Sequence, residues 1–130
     1  MNYYDSNKKN FLTSVAIIIP CYKASKFINL VLKDCQKYLS MIEEKIEFKI
    51  VIINDACPEQ SLKNVSENDF IKIIHNKKNI GVGASTLKGI KYALKNKYDF
   101  MIKLDADGQH PPKLLVELIE YMIRLPKYQL

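Results

Sequence analysis

The sequence predicts an α/β fold, a mostly parallel sheet with helices on both faces. Three observations carry that expectation. Short apolar runs rich in Ile and Val, such as Val15–Pro20 and Phe48–Ile53, are of the kind buried on both faces of a parallel sheet. Stretches with apolar residues at helical spacing separate these runs. The resulting order, β-α-β-(α)-β-α-β-α, is the alternation from which such sheets are wound. With 130 residues, 48% hydrophobic and 26% charged, the chain has the size of one domain and enough apolar side chain for a core.

The elements follow in order. Residues 1–12 read as a polar N-terminal arm, and the domain proper occupies 13–130. Val15–Pro20 is the first strand. Phe27, Val31, Cys35, Tyr38 and Ile42 recur at helical spacing, with Lys26, Asn29, Lys33, Gln36 and Lys37 opposite, so a helix is expected over about Lys26–Met41. Cys35 then falls on its core side as a small hydrophobe. Phe48–Ile53 is the second strand, stopped by Asn54-Asp55-Ala56-Cys57-Pro58. Residues 59–68 are polar, with one short helix expected. Ile71–Ile74 is the third strand and Lys77–Gly83 a loop. Ala84, Leu87, Ile90 and Leu94 mark a helix ending near Asn96, and Phe100–Leu104 is the fourth strand. Pro111-Pro112 opens a last helix, since proline is tolerated in a first helical turn.

That last helix is apolar almost all round. Lys113, Glu117, Glu120 and Arg124 form one narrow polar face, and Leu114, Leu115, Val116, Leu118, Ile119, Tyr121, Met122, Ile123 and Leu125 cover the rest. One sheet face is too small to cover it. Self-association through this helix is one reading. The favoured one is a domain truncated from a larger protein.

Charge and cysteine usage exclude several classes. The net charge is +6, of which residues 61–100 hold +5, from 8 Lys against 3 acids. Yet 19 of the 20 basic residues are Lys, and nucleic-acid readers favour the bidentate fork of Arg. No nucleic-acid partner is expected, and a solvated lysine face or a small anionic ligand remains. The 3 cysteines lack C-x-x-C spacing, which argues against a disulfide scaffold or a zinc site and for a reducing compartment. No run approaches the length of a membrane span, and the first residues lack the apolar core of a secretory signal.

In open parallel sheets, ligands sit beyond the carboxyl ends of the strands. Chemistry is therefore expected at Pro20–Lys23, Asn54–Glu59, His75–Gly83 and Asp105–His110. Asp105 and Asp107 are two carboxylates two residues apart at a strand end. Such an oxygen-rich pair suits Mg²⁺ or Mn²⁺, most of all where a phosphate adds ligands. Gly81 and Gly83 open a helix, where free N–H groups attract phosphate or merely make a tight turn. The G-x-G-x-x-G fingerprint fails at Thr86, and Lys88 does not complete a P-loop. Asp55 at a strand end could accept a base or ribose donor, and Tyr22 could stack on a flat ring. A thiol nucleophile at Cys21 or Cys57 lacks a neighbouring base in sequence.

Together these motifs make the chain resemble the donor-binding half of family 2 glycosyltransferases with the Rossmann-like GT-A fold, nearest to the dolichyl- or polyprenyl-phosphate sugar transferases. The carrying residues are Val15-Ala16-Ile17-Ile18-Ile19-Pro20-Cys21-Tyr22, Ile50-Val51-Ile52-Ile53-Asn54-Asp55, Asn79-Ile80-Gly81-Val82-Gly83-Ala84 with Gly89, and Lys103-Leu104-Asp105-Ala106-Asp107-Gly108-Gln109-His110-Pro111-Pro112. The D-A-D-G-Q-H-P block is the most specific of them.

The resemblance implies an inverting transferase that takes a nucleotide-diphosphate sugar and a divalent metal, Mg²⁺ or Mn²⁺. The acceptor would be a polyprenyl phosphate or a saccharide. It assigns Pro20 and Tyr22 to the base and ribose and Asp55 to the base. Asp105 and Asp107 fall to the catalytic metal and donor diphosphate, and Gln109 to a third metal contact. Gly81, Gly83 and Lys88 lie where donor contacts occur. A cytoplasmic location, peripheral at the inner membrane face, accompanies this reading. Two departures stand out. The family commonly carries Asp-Gly-Ser-x-Asp after strand two, where this chain has Asp55-Ala56-Cys57-Pro58-Glu59. Family members also continue past the last helix with acceptor-binding strands. The alternative is therefore a non-catalytic half-domain that holds the donor and transfers nothing.

Overall fold

The computed structural model describes residues 13–42, 46–107 and 112–124. Its elements run β1 (Thr13–Cys21), α1 (Ile28–Leu39), β2 (Ile46–Asn54), β3 (Ile71–His75), α2 (Val82–Lys95), β4 (Phe100–Lys103) and α3 (Pro112–Ile123). The strands form one four-stranded sheet in the order β3-β2-β1-β4. Every pairing is parallel, with Ile17 opposite both Ile50 and Ile102, and Ile52 opposite Ile73. The expected α/β architecture is therefore present. The polar arm, residues 1–12, and the Gly108–Pro111 segment lie outside the described residues.

The continuous apolar runs are buried on both faces. Val15, Ile17, Ile19 and Cys21 face one side with Ile50 and Ile52, and α1 and α3 cover them through Ile28, Val31, Leu32, Cys35, Leu115 and Ile119. Ile18, Val51 and Ile53 face the other side, beneath α2. Alternate residues of one strand thus feed two cores, as the period of a strand requires.

The helices differ in detail from their sequence patterns. The buried stripe of α1 is Ile28, Val31, Leu32, Cys35 and Leu39, while Phe27 precedes the helix and is 43% exposed. Cys35 is fully buried, and the three thiols are free. On α2, Leu87 and Leu94 point outward, and Ser85, Gly89 and Ala93 are the buried residues. Small side chains at this i, i+4, i+8 stripe let α2 lie close to the sheet, where a Cβ on Gly89 would fall 2.4 Å from Ile18 Cγ2. The short helix expected within residues 59–68 is absent. That stretch forms successive turns, with Lys63 N bonded to Gln60 O and Val65 N to Leu62 O. Gln60 adopts φ +52°, which a right-handed helix excludes.

On α3, Leu115 and Ile119 pack into the core, while Leu114, Leu118 and Tyr121 are exposed. Part of the apolar surface therefore finds cover against the chain itself. Among the described residues no helix is long and apolar enough to cross a membrane.

Candidate functional site

Strands β1, β2 and β3 progress outward to one side, and the chain then returns to place β4 on the other side of β1. The reversal lies between β1 and β4. Loops leaving two neighbouring strands in opposite directions open a crevice there. A cleft of about 330 Å³ occupies this position, within the usual range of small-molecule sites. Its wall includes Pro20 near the end of β1, Tyr22 and Lys23 after it, Asp55 after β2, Asn79, Gly81 and Val82 at the entry to α2, and Asp105 and Asp107 after β4.

Six of the residues singled out from sequence thus share one cavity: Pro20, Tyr22, Asp55, Gly81, Asp105 and Asp107. Gly83 and Lys88 stand outside its wall. Lys88 sits about two turns into α2, and its Nζ donates to Asn76 Oδ1 at 2.7 Å. Gln109 lies outside the described residues. Lys23 and Asn79 also line the cleft, inside the strand-end segments where chemistry is expected but without a role assigned to either. The signal for Asn79 was its place at the head of the Asn79–Gly83 run. Lys23 had none beyond its position after a strand.

The β1 loop presents an aromatic and a cation together. Tyr22 is 44% exposed, and Lys23 Nζ lies 5.5 Å from the centre of its ring. Lys23 holds φ +52°, a left-handed conformation, and its N–H donates to Cys57 Sγ at 3.1 Å. Cys57 also contacts Ser61 Oγ at 3.0 Å, and Ser61 Oγ in turn accepts from Ala24 N at 3.0 Å. This joins the loops after β1 and β2 at the rim. Burial raises the Cys57 thiol, but hydrogen bonds from the Ser61 hydroxyl and from backbone N–H groups outweigh it and leave the thiol below its ordinary value. Burial pushes Cys21 up to about 12, aided by the nearby Cys57. Cys21 is thus a protonated wall residue.

After β2 the sequence departs from Asp-Gly-Ser, yet Ala56 takes φ +55°, the region that glycine favours. Asn54 Oδ1 accepts Cys57 N at 3.2 Å and closes the turn around it. The loop keeps a glycine conformation with an alanine in it.

Asp55 is 2% exposed, and its carboxylate is surrounded by donors. Oδ1 accepts Asn76 Nδ2 at 2.9 Å and Ile80 N at 2.8 Å, and Oδ2 accepts Asn79 Nδ2 at 3.0 Å and Gly81 N at 2.9 Å. Burial would raise this carboxyl, but the Ile80, Asn76 and Gly81 hydrogen bonds, with the Ser85 hydroxyl, hold it below its ordinary value. The ionised form is the one the fold is built around.

Asp105 stands two residues after the last residue of β4, Lys103, whose Nζ pairs with its Oδ1. Both partners are partly exposed, so the pair adds little to stability. Asp105 and Asp107 give the cleft two hard oxygen donors. Among the described residues no three His, Cys, Asp or Glu side chains gather as a metal site. Mg²⁺ in particular is commonly bound by one or two carboxylates together with substrate phosphates and water. The two carboxylates therefore fit a hard divalent cation that arrives with a diphosphate.

Comparison with known proteins places this geometry in context. The profile of glycosyl transferase family 2 matches residues 16–129. An undecaprenyl-phosphate mannosyltransferase of Micrococcus luteus is 26% identical over 110 residues, covering 82% of this chain and 43% of its own length. A dolichol-phosphate mannosyltransferase of Pyrococcus furiosus is 27% identical over 112 residues, covering 82% of this chain and 29% of its own. The crystal structure of S. aureus TarS 1-349 in complex with UDP-GlcNAc superposes with a TM-score of 0.65 at 21% identity, over 84% of this chain and 31% of that one. The chain spans less than half the length of these relatives.

Proposed function

The chain belongs to glycosyl transferase family 2, and from that premise we propose that its cleft binds a nucleotide-diphosphate sugar for transfer to a polyprenyl phosphate or a saccharide. The observation that carries this reading is the convergence of Tyr22, Gly81, Asp105 and Asp107 on one cavity at the strand-order reversal. An aromatic ring, a helix entry and a carboxylate pair are what a base, a diphosphate and its counter-cation need.

Each residue then has a task. Pro20 and Tyr22 pack against the base and ribose. Asp105 and Asp107 would hold Mg²⁺ or Mn²⁺ beside the diphosphate. When bound, that cation neutralises charge that grows on the departing nucleoside diphosphate. Lys23 adds positive charge at the same rim. The wall at Asn79–Val82 keeps the donor in place so that its anomeric carbon stays open to in-line attack, which inverts its configuration. A phosphate acceptor is already anionic near neutral pH and attacks without a base. The names of the two mannosyltransferase relatives support a polyprenyl-phosphate acceptor over a saccharide.

A second reading is that these residues hold the donor without transferring it. Calorimetry with UDP and GDP, each with and without Mn²⁺, tests donor binding. Asp107→Asn removes one anionic ligand and is expected to weaken metal-dependent binding by about tenfold, as for a lost interaction with a charged group. Equal affinity with and without Mn²⁺ in the wild-type chain would sink the metal assignment. A radiolabelled transfer assay with a polyprenyl phosphate separates the transferase from the binding half-domain.

A further inference from the structure

The resemblance assigns Asp55 to the nucleotide base, yet its carboxylate is committed to this chain. An ionised carboxylate offers about four lone-pair sites, and Asn76, Asn79, Ile80 and Gly81 supply a donor to each. Asn79 Nδ2 also lies 3.3 Å from the Asp55 carbonyl oxygen. All these donors come from the segment that joins β3 to α2. Asn76 carries the tie further. It is itself only 7% exposed, its Nδ2 reaches Ser85 Oγ at 3.1 Å, and its Oδ1 accepts Lys88 Nζ at 2.7 Å. One carboxylate at the end of β2 therefore fastens both the loop and the first turns of α2. The loop needs such a fastening, because Gly81 sits at φ +93° with no side chain to restrict it and α2 has no side-chain cap.

We propose that Asp55 is a positioning residue for donor binding: through Asn76, Asn79 and the Ile80 and Gly81 amides it sets where the Asn79–Val82 wall of the cleft stands. This rests on the nucleotide-sugar reading above and goes beyond it, because Asn76, which lies outside the cleft wall, acquires a part in binding. Aspartate is required in this place. Asparagine would turn an N–H₂ group toward donors and leave two of them unpaired in a buried site.

The test uses the whole chain as wild type, Asp55→Asn and Asn76→Ala. Calorimetry with UDP and GDP in Mn²⁺ gives affinity, amide hydrogen exchange without nucleotide reports on Ile80 and Gly81, and urea unfolding verifies the fold. Asn76→Ala is expected to weaken the nucleotide that binds by about tenfold, the scale of one lost hydrogen bond to a charged group, while unfolding stays cooperative. In Asp55→Asn the Ile80 and Gly81 amides should exchange at least about tenfold faster than in wild type. If Asp55→Asn does not fold, the same exchange measurement on Asn76→Ala, with its affinity, decides. Wild-type affinity in folded Asn76→Ala overturns the proposal, whether Asp55 touches the base directly or serves stability alone. A wild-type chain that binds neither nucleotide overturns the donor-binding reading itself, and any part of Asp55 in it.

Discussion

Placing a single methyl group at Gly89 tests how α2 is seated above the cleft. In Gly89→Ala the new Cβ would stand 2.4 Å from Ile18 Cγ2, 3.0 Å from Ile53 Cδ1 and 3.2 Å from Ile18 Cγ1. Carbon atoms pack at about 3.5–4.0 Å, so something must retreat by more than about 1 Å. Ile18 is a poor candidate to move. It is 1% exposed, on a strand paired on both sides, and the clashing atom is a branch methyl on a stiff χ1. The strain of such overpacking is about 1–3 kcal/mol, and alanine returns about 0.8–1 kcal/mol through helix propensity. The expected net loss is up to about 2 kcal/mol, read as a lower urea midpoint with an unchanged slope.

Gly83→Ala is the matched control. A Cβ there meets nothing within 4 Å, so the same chemical change is expected to stabilise by about 0.4–1 kcal/mol. Because α2 enters the cleft wall at Gly81 and Val82, lifting it at Gly89 should also weaken nucleotide binding in the folded variant. A Gly89→Ala chain stabilised as much as Gly83→Ala would refute the close seating of α2 on Ile18.

Three further outcomes are expected. Thiol labelling with a disulfide reagent near neutral pH should modify Cys57 first, since Cys21 and Cys35 are each pushed up to about 12, chiefly by burial, and should react only on unfolding. Ala56→Gly should relieve the left-handed strain at φ +55°, worth about 1–2 kcal/mol, less the entropy that glycine adds to the unfolded chain, so urea unfolding should shift upward by up to about 1 kcal/mol. Asp55 has a lowered carboxyl in the fold, so it contributes stability above its unfolded value of about 3.9 that is lost as pH falls through the lower folded value. Acid titration of unfolding should therefore show a loss below about pH 4 that is reduced in Asp55→Asn.

What could be read from the sequence, and what could not, follows from the range of the interactions involved. Strand runs such as Ile17–Ile19 and Ile50–Ile53 are legible because burial on both faces leaves a mark in consecutive residues. The stripe of α2 was less legible. Its seam is made of Ser85, Gly89 and Ala93, and close approach to a sheet selects for small volume, which hydrophobic spacing does not register. Leu87 and Leu94, which carry the hydrophobic spacing, are exposed. The turns at residues 58–64 carry no periodic signal, and their shape depends on partners such as Ala24, which donates to Ser61 Oγ.

The site divides in the same way. Asp105 and Asp107 are legible because a strand end places them two residues apart at one opening. Lys88 is misleading, because sequence proximity to Gly81 says nothing of how far a helix carries a residue from its own N-terminus. At about 1.5 Å per residue, Lys88 is roughly 10 Å along the axis from Gly81, and its ammonium turns to Asn76 instead. Asp55 is the instructive case. Its position at a strand end was visible, but four of its hydrogen-bond partners lie 21 to 26 residues away, in a segment with no repeating pattern. A strand-end aspartate that faces a ligand and one that faces its own chain leave the same mark in sequence. The donors around the carboxylate separate the two cases, and the four that Asn76, Asn79, Ile80 and Gly81 supply are the ground for the positioning role proposed above.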